Sequence, residues 1–93
     1  MKKEKILLII PAYNESEGIV GVVDKVAEYC QNSPYDIDYL VINDGSTDNE
    51  EVLLLQHGIY HVELIQNLGI GGAVQTGYLY AQRWGYDIAV QYD

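Results

Sequence analysis

The chain has 93 residues, enough for one small domain and too few for two. Acidic residues number 14 against 5 basic ones, a formal net charge of −9. A surface that negative repels nucleic-acid phosphates and anionic lipid headgroups, which excludes both as primary partners, while a bound divalent cation can still invert the field around a phosphate-bearing ligand.

The lysines Lys2, Lys3 and Lys5 precede an aliphatic run, Ile6 to Ile10, that superficially echoes a secretory leader. The run is short and enters Pro11 without a small-residue cleavage site, so it reads instead as a strand buried on both faces. No stretch is long enough to cross a bilayer, and the chain reads as cytoplasmic; the sequon-like Asn14-Glu15-Ser16 is then without consequence.

Ile19, Val23, Val26, Ala27 and Cys30 follow at the spacing of one helix face, with Asn14 and Glu17 resembling a capping box at its start and Asn32-Ser33-Pro34 breaking it. Cys30 is the only cysteine, which excludes an intrachain disulfide and a cysteine-rich zinc site and leaves a buried thiol on that helix. A second strand runs from Ile37 to Ile42. Thr47 is placed to cap the next, short helix, with Glu50 at its third position and Asp48 and Glu51 complementing the dipole; this helix ends near Gly58.

Val62, Leu64 and Ile65 mark a third strand. Ile70, Ala73, Val74, Gly77, Tyr78 and Ala81 are helical in period between Gly69 and Trp84, Gly85 closes that helix, and Ile88-Ala89-Val90 opens a fourth strand. The order β-α-β-α-β-α-β, with crossovers long enough for parallel pairing and right-handed, predicts a Rossmann-like α/β fold: a parallel four-stranded sheet in the order 3-2-1-4 with three helices in an α/β/α sandwich. The chain stops in a strand at Asp93, and truncation is the expectation.

In an open parallel sheet ligands bind beyond the carboxyl ends of the strands. Those ends read Pro11-Ala12-Tyr13-Asn14-Glu15, Asn43-Asp44-Gly45-Ser46, Gln66-Asn67-Leu68-Gly69 and Asp93. The opposite rim, at Lys5, Asp36 and Gly85-Tyr86-Asp87, carries nothing comparable. Tyr13 offers a ring for stacking a base, with Pro11 and Ala12 permitting close approach; a tyrosine on the core rim is the plainer alternative. Glu15 and Asp44 are acceptors for a base imino N–H or ribose hydroxyls, or else cap and turn residues.

Asn67-Leu68-Gly69 leads into a helix start whose free N–H groups suit a diphosphate. Gly69, Gly71 and Gly72 do not form G-x-G-x-x-G, because Val74 takes the third glycine's place; tight helix–sheet packing explains them, and Gly77 fits that best. There is no phosphate-binding G-x-x-x-x-G-K loop. His57 and His61 fall away from the loaded edge and read as structural, and no serine, histidine and aspartate arrangement emerges.

Taken together, Ile9-Ile10-Pro11-Ala12-Tyr13-Asn14-Glu15, Val41-Ile42-Asn43-Asp44-Gly45-Ser46-Thr47-Asp48, Asn67 to Gly77 and Ile88 to Asp93 resemble glycosyltransferase family 2, with its GT-A fold. Four motifs in order cover essentially the whole chain. Among subgroups the resemblance is to dolichyl-phosphate-mannose-synthase-type enzymes and their bacterial relatives, which pass a sugar from a nucleotide diphosphate to a polyprenyl phosphate or similar acceptor. It implies that residues 1–93 are the N-terminal nucleotide-sugar-binding part of a GT-A domain, working in its parent at the cytoplasmic face of the membrane.

By the same resemblance Pro11, Ala12, Tyr13 and Glu15 line the nucleoside pocket of a UDP- or GDP-linked donor, and Ile42 and Asp44 contact the base. Asn67 and Gly69 belong to the same site. Asp93 is the first aspartate of the D-x-D motif, beside a Mg²⁺ or Mn²⁺ that stabilises the leaving diphosphate. Asn43 departs from the family, which commonly has a second aspartate there. No catalytic base is identified up to Asp93, so the fragment is expected to be inactive, and its open fourth strand is expected to drive self-association. A non-catalytic nucleotide-binding or scaffold module of the same fold is the alternative. A phosphoacceptor receiver domain is disfavoured because the first strand runs into Pro11-Ala12-Tyr13 and not into clustered acids.

Overall fold

The computed structural model describes residues 4–92. Its elements are β1 (Lys5–Ala12), α1 (Ile19–Asn32), β2 (Asp36–Asn43), α2 (Glu50–Gln56), β3 (His61–Glu63), α3 (Gly69–Arg83) and β4 (Ile88–Gln91). The strands form one sheet in the order β3-β2-β1-β4 with every pairing parallel. This is the expected three-layer sandwich.

The aliphatic runs divide between two faces by simple alternation. Ile10, Ala12 and Val41 meet Ile19, Val23 and Val26 of α1 and Leu54 of α2 in one core. Leu7, Ile9, Leu40 and Ile42 meet Ala73 and Ala81 of α3 in the other. Successive residues of a strand point to opposite faces, so a continuous apolar run is what a sheet covered on both sides requires. Gly77 lets α3 lie close on the sheet, since a Cβ there would come within 2.5 Å of the Ile9 side chain.

Pro11 sits beyond the last β1–β4 pair, Ile9 with Gln91. The Ile9 carbonyl accepts from Tyr92 N–H while the Ala12 carbonyl accepts from Asp44 N–H, so odd residues of β1 face β4 and even ones face β2. The missing N–H of Pro11 therefore removes no ladder bond among the described residues.

Several local expectations need correction. Asn14 and Glu17 form no capping box: α1 starts at Ile19 behind Gly18 without a side-chain cap, and Asn14 lies in the left-handed region at φ 52°. Thr47 does not cap α2 either. Its N–H and hydroxyl both donate to Asn14 Oδ1, at 2.7 and 3.3 Å, and Asp48 Oδ1 instead accepts the Glu50 N–H at 3.0 Å. β3 ends at Glu63, so Leu64 and Ile65 lie outside it, and Ile65 is fully exposed.

Candidate functional site

Three loops meet at the carboxyl edge of the sheet, and side chains tie them to one another. The β2–α2 turn needs Gly45 twice over. Its φ is 67°, and a Cβ would stand 2.5 Å from both Asn67 N and the Gln66 carbonyl carbon, so the backbone of the β3–α3 loop rests directly on it. Around that contact Asn67 Nδ2 donates to the Asp44 carbonyl (3.2 Å) and Leu68 N–H donates to Asp44 Oδ1 (2.7 Å).

Asn43, at 1% exposure, ties β2 to β3. Its Nδ2 donates to both Glu63 carboxylate oxygens (3.1 and 2.8 Å), and its Oδ1 accepts the Ser46 hydroxyl. Glu63 also lies 3.1 Å from His61 Nε2, while His61 Nδ1 donates to the Ile59 carbonyl at 2.7 Å. His61 thus links Ile59, ahead of β3, to Glu63.

Between these loops lies a cavity of about 380 Å³ lined by Pro11, Ala12, Tyr13, Glu15, Asp44, Asn67, Gly69 and Ile70. The fold brings together the sequence-predicted Pro11, Ala12, Tyr13, Glu15, Asp44, Asn67 and Gly69 around one opening. Tyr13 stands 44% exposed, with its ring available to a flat ligand. The Glu15 side chain is exposed; its carbonyl accepts the Gly18 and Ile19 N–H groups and so starts α1. Asp44 is nearly buried, its Oδ1 accepts the Leu68 N–H, and the residue lines the cavity.

Ile42 does not belong to this wall. It is fully buried in the core under α3, because the alternation that points Asn43 toward Glu63 turns Ile42 inward. The start of α3 is also less open than expected. Leu68 N–H goes to Asp44 and Gly69 N–H to Asn67 Oδ1 (3.0 Å), so only the N–H groups further into the first turn remain for an anion. Of the glycines there, Gly69 is left-handed at φ 80°, Gly72 packs on the Leu68 side chain, and Gly71 has nothing within 4 Å of a would-be Cβ. Tight helix–sheet packing thus accounts for Gly77 but not for this cluster.

A second hollow of about 580 Å³ adjoins through Glu15 and is lined by Asn14, Ser16, Glu17, Gly18, Thr47 and Asp48. The opposite rim has an apolar hollow of about 480 Å³ beside Ile6, Pro34, Tyr35 and Ile88. The rest of that rim is held by structural contacts, Lys5 N–H to Asp87 Oδ2 (2.8 Å) and the Tyr86 hydroxyl to Asp38 Oδ2 (2.6 Å). Cys30 is half-buried on α1, where burial and then Asp38 push its thiol pKa up, away from a reactive thiolate.

Asp93, the expected metal ligand, lies outside the described residues. Among the described residues no group of three or more His, Cys, Asp or Glu is arranged to hold a metal ion. No described helix is long and apolar enough to cross a membrane.

One participant had no signal in the sequence. Glu50 opens α2 yet is 0% exposed, and its Oε1 accepts the Glu15 N–H at 2.8 Å. An acid in the first turn of a short helix reads as a surface complement to the dipole; only the crossing of the two loops turns it inward.

Residues 7–83 match the family described as Glycosyl transferase family 2. The chain is 34% identical to a UDP-N-acetylglucosamine–dolichyl-phosphate N-acetylglucosaminyltransferase of Methanococcus voltae, over all of this chain and 42% of that protein. In structure it is similar to a mannosyltransferase of Pyrobaculum calidifontis in complex with GDP-Man and Mn²⁺ (TM-score 0.72, 21% identity, 86% of this chain and 25% of the other). It is also similar to a glucosyl-3-phosphoglycerate synthase of Mycobacterium tuberculosis in complex with Mn²⁺, UDP-glucose and phosphoglyceric acid. There the TM-score is 0.54 and the identity 28%, over 64% of this chain and 21% of the other. The chain therefore spans less than half the length of these relatives.

Proposed function

The chain belongs to glycosyltransferase family 2, and from that premise we propose that residues 1–93 are the donor-binding part of an enzyme that transfers a sugar from a nucleotide diphosphate to an acceptor. The observation that carries this reading is the convergence of Pro11, Ala12, Tyr13, Glu15, Asp44, Asn67 and Gly69 on one cavity at the carboxyl edge of a parallel sheet. Tyr13 stacks on the base, and the Glu15 and Asp44 carboxylates accept the base imino N–H and the ribose hydroxyls. Ile42 acts from beneath, as core support for Asp44, and not by touching the base.

The diphosphate is directed toward the first turn of α3, where Gly71 leaves room for close approach to backbone N–H groups. Asp93, which lies outside the described residues, is the position that the family resemblance assigns to the metal. The described residues do not by themselves make a metal site; a Mg²⁺ or Mn²⁺ at Asp93, when bound, supplies charge neutralisation for the leaving diphosphate. The Mycobacterium tuberculosis relative, in complex with Mn²⁺ and UDP-glucose, supports that choice of ion.

The acceptor class is a polyprenyl phosphate, by analogy with the dolichyl phosphate named for the Methanococcus voltae relative; a place at the cytoplasmic face of the membrane is part of the same proposal. We further propose that the 93-residue chain self-associates through β4, whose outer edge pairs with no strand among the described residues and whose Ile88 and Val90 are 39% and 44% exposed.

Calorimetric titration with UDP, GDP and their sugar conjugates, with and without Mn²⁺, tests the donor reading. Saturable binding of one nucleotide series, tightened by Mn²⁺, is expected. Absence of binding to all of them contradicts it.

A further inference from the structure

The segment that carries Tyr13 and Glu15 is held from one side. Three consecutive N–H groups, those of Asn14, Glu15 and Ser16, donate to three side chains of the next loop and helix: Ser46 Oγ (3.0 Å), Glu50 Oε1 (2.8 Å) and Asp48 Oδ2 (3.1 Å). In return Asn14 Oδ1 accepts from the Thr47 and Asp48 backbone (2.7 and 3.3 Å). The Asn14 and Ser16 rungs are exposed and open to competition from water, whereas the Glu50 carboxyl is completely buried. Asn14 also sits at φ 52°, a conformation that a non-glycine residue keeps only where its surroundings hold it.

The Glu50 carboxyl is unusual in a second way. Its Oε2 is buried with no hydrogen-bond partner among the described residues. Such an arrangement is expensive for a charge and much less so for a neutral acid. The charged groups facing it, Asp48 from the β2–α2 loop and Glu15 from the β1–α1 loop, are both acidic.

We propose that Glu50 is a positioning residue for nucleotide binding: by accepting the Glu15 N–H from inside the fold, it fixes the β1–α1 loop in the shape that presents Tyr13 and Glu15 to the cavity. This rests on the donor-binding reading above. Glu50 itself touches no ligand; it acts on the pocket wall through the Glu15 backbone. Accepting through Oε1 needs no charge, and a charge on this buried carboxyl would face Glu15 and Asp48 with Oε2 unpartnered among the described residues. Burial first, and then these neighbours, push its pKa up, while the Glu15 N–H and Ser46 oppose the shift.

The test compares wild type, Glu50→Gln and Glu50→Ala by titration with UDP and GDP in the presence of Mn²⁺, with amide hydrogen exchange at Glu15 measured in parallel. Glutamine reproduces the neutral acid in shape and acceptor, so its affinity should stay within about threefold of wild type. Alanine leaves a buried N–H without an acceptor, which corresponds to an affinity lower by about tenfold to a hundredfold and faster exchange at Glu15. As pH rises, wild type should weaken relative to Glu50→Gln, the ionisation of the nucleotide phosphates being common to both.

A folded alanine variant with wild-type affinity overturns the proposal, as does a glutamine variant as impaired as alanine. If the alanine variant does not fold, the wild-type and glutamine pH profiles decide, and parallel profiles overturn it. If wild type binds neither nucleotide, the donor reading fails separately, and unchanged Glu15 exchange in Glu50→Ala, or in Glu50→Gln at raised pH, then counts against Glu50.

Discussion

Replacing Gly45 by alanine tests whether the β2–α2 turn and the β3–α3 loop are built on each other. Two separable penalties arise. The backbone at φ 67° is left-handed, which costs a side-chain-bearing residue about 1–2 kcal/mol. The new Cβ also lands 2.5 Å from Asn67 N and the Gln66 carbonyl carbon, backbone atoms that cannot swing aside, and overpacking of that kind costs about 1–3 kcal/mol.

Gly58 provides the control, since it has nearly the same φ, 63°, with nothing within 4 Å of a Cβ. Gly58→Ala should therefore show the conformational penalty alone, about 1–2 kcal/mol, and Gly45→Ala about 2–5 kcal/mol. Urea unfolding at fixed protein concentration measures both, as a fall in midpoint at constant slope. Because the displaced residues carry the Asn67 and Leu68 bonds to Asp44, Gly45→Ala should also weaken nucleotide binding while Gly58→Ala does not. A Gly45→Ala loss no larger than that of Gly58→Ala would refute the close approach.

Asn43→Asp should destabilise by about 1–3 kcal/mol in the same assay, because it exchanges a buried donor for a second carboxylate facing Glu63; adding Glu63→Gln should recover most of the loss. For Glu50, the folded-state pKa lies above the unfolded one, so its contribution to stability is fully present below the ordinary carboxylate range and is lost as pH rises through the raised value. Stability measured against pH should fall over that window relative to Glu50→Gln; identical curves for the two proteins would contradict the assignment. Val90→Lys, on the exposed face of β4, should shift sedimentation velocity profiles toward the monomer, and an unchanged distribution would remove β4 as the contact.

The sheet order was legible because each buried strand is a dense aliphatic run and each connection is long enough to force a parallel crossover. Leu7 and Ile9 on one face and Leu8, Ile10 and Ala12 on the other need no loop information to be placed. The carboxyl-edge residues were legible for the same reason: once strand direction is known, Tyr13, Glu15, Asp44 and Asn67 must fall together.

What the sequence hid is the traffic between loops. Asn14-x-x-Glu17 mimics a cap signature, yet Asn14 is engaged by Thr47 and Asp48, residues 33 and 34 positions away. Glu50 looks like a surface acid until the loop from β1 crosses over it. Asn43, the position where the family commonly has an aspartate, makes physical sense only beside Glu63, a partner set by the β2–β3 register. Ile42 could have been placed inward by alternation with Asn43; the motif's appearance as a unit drew it toward the ligand.

The central claim is that the nucleotide occupies the cavity between the three carboxyl-edge loops. Backbone amide chemical shifts of the ¹⁵N-labelled protein, followed on titration with UDP and with GDP in the presence of Mg²⁺, test it most directly. Perturbations should concentrate at Tyr13 to Glu15, Asp44 and Asn67 to Gly71. Perturbations centred on the opposite rim, at Tyr35, Asp36 and Ile88, or none with either nucleotide, would contradict it.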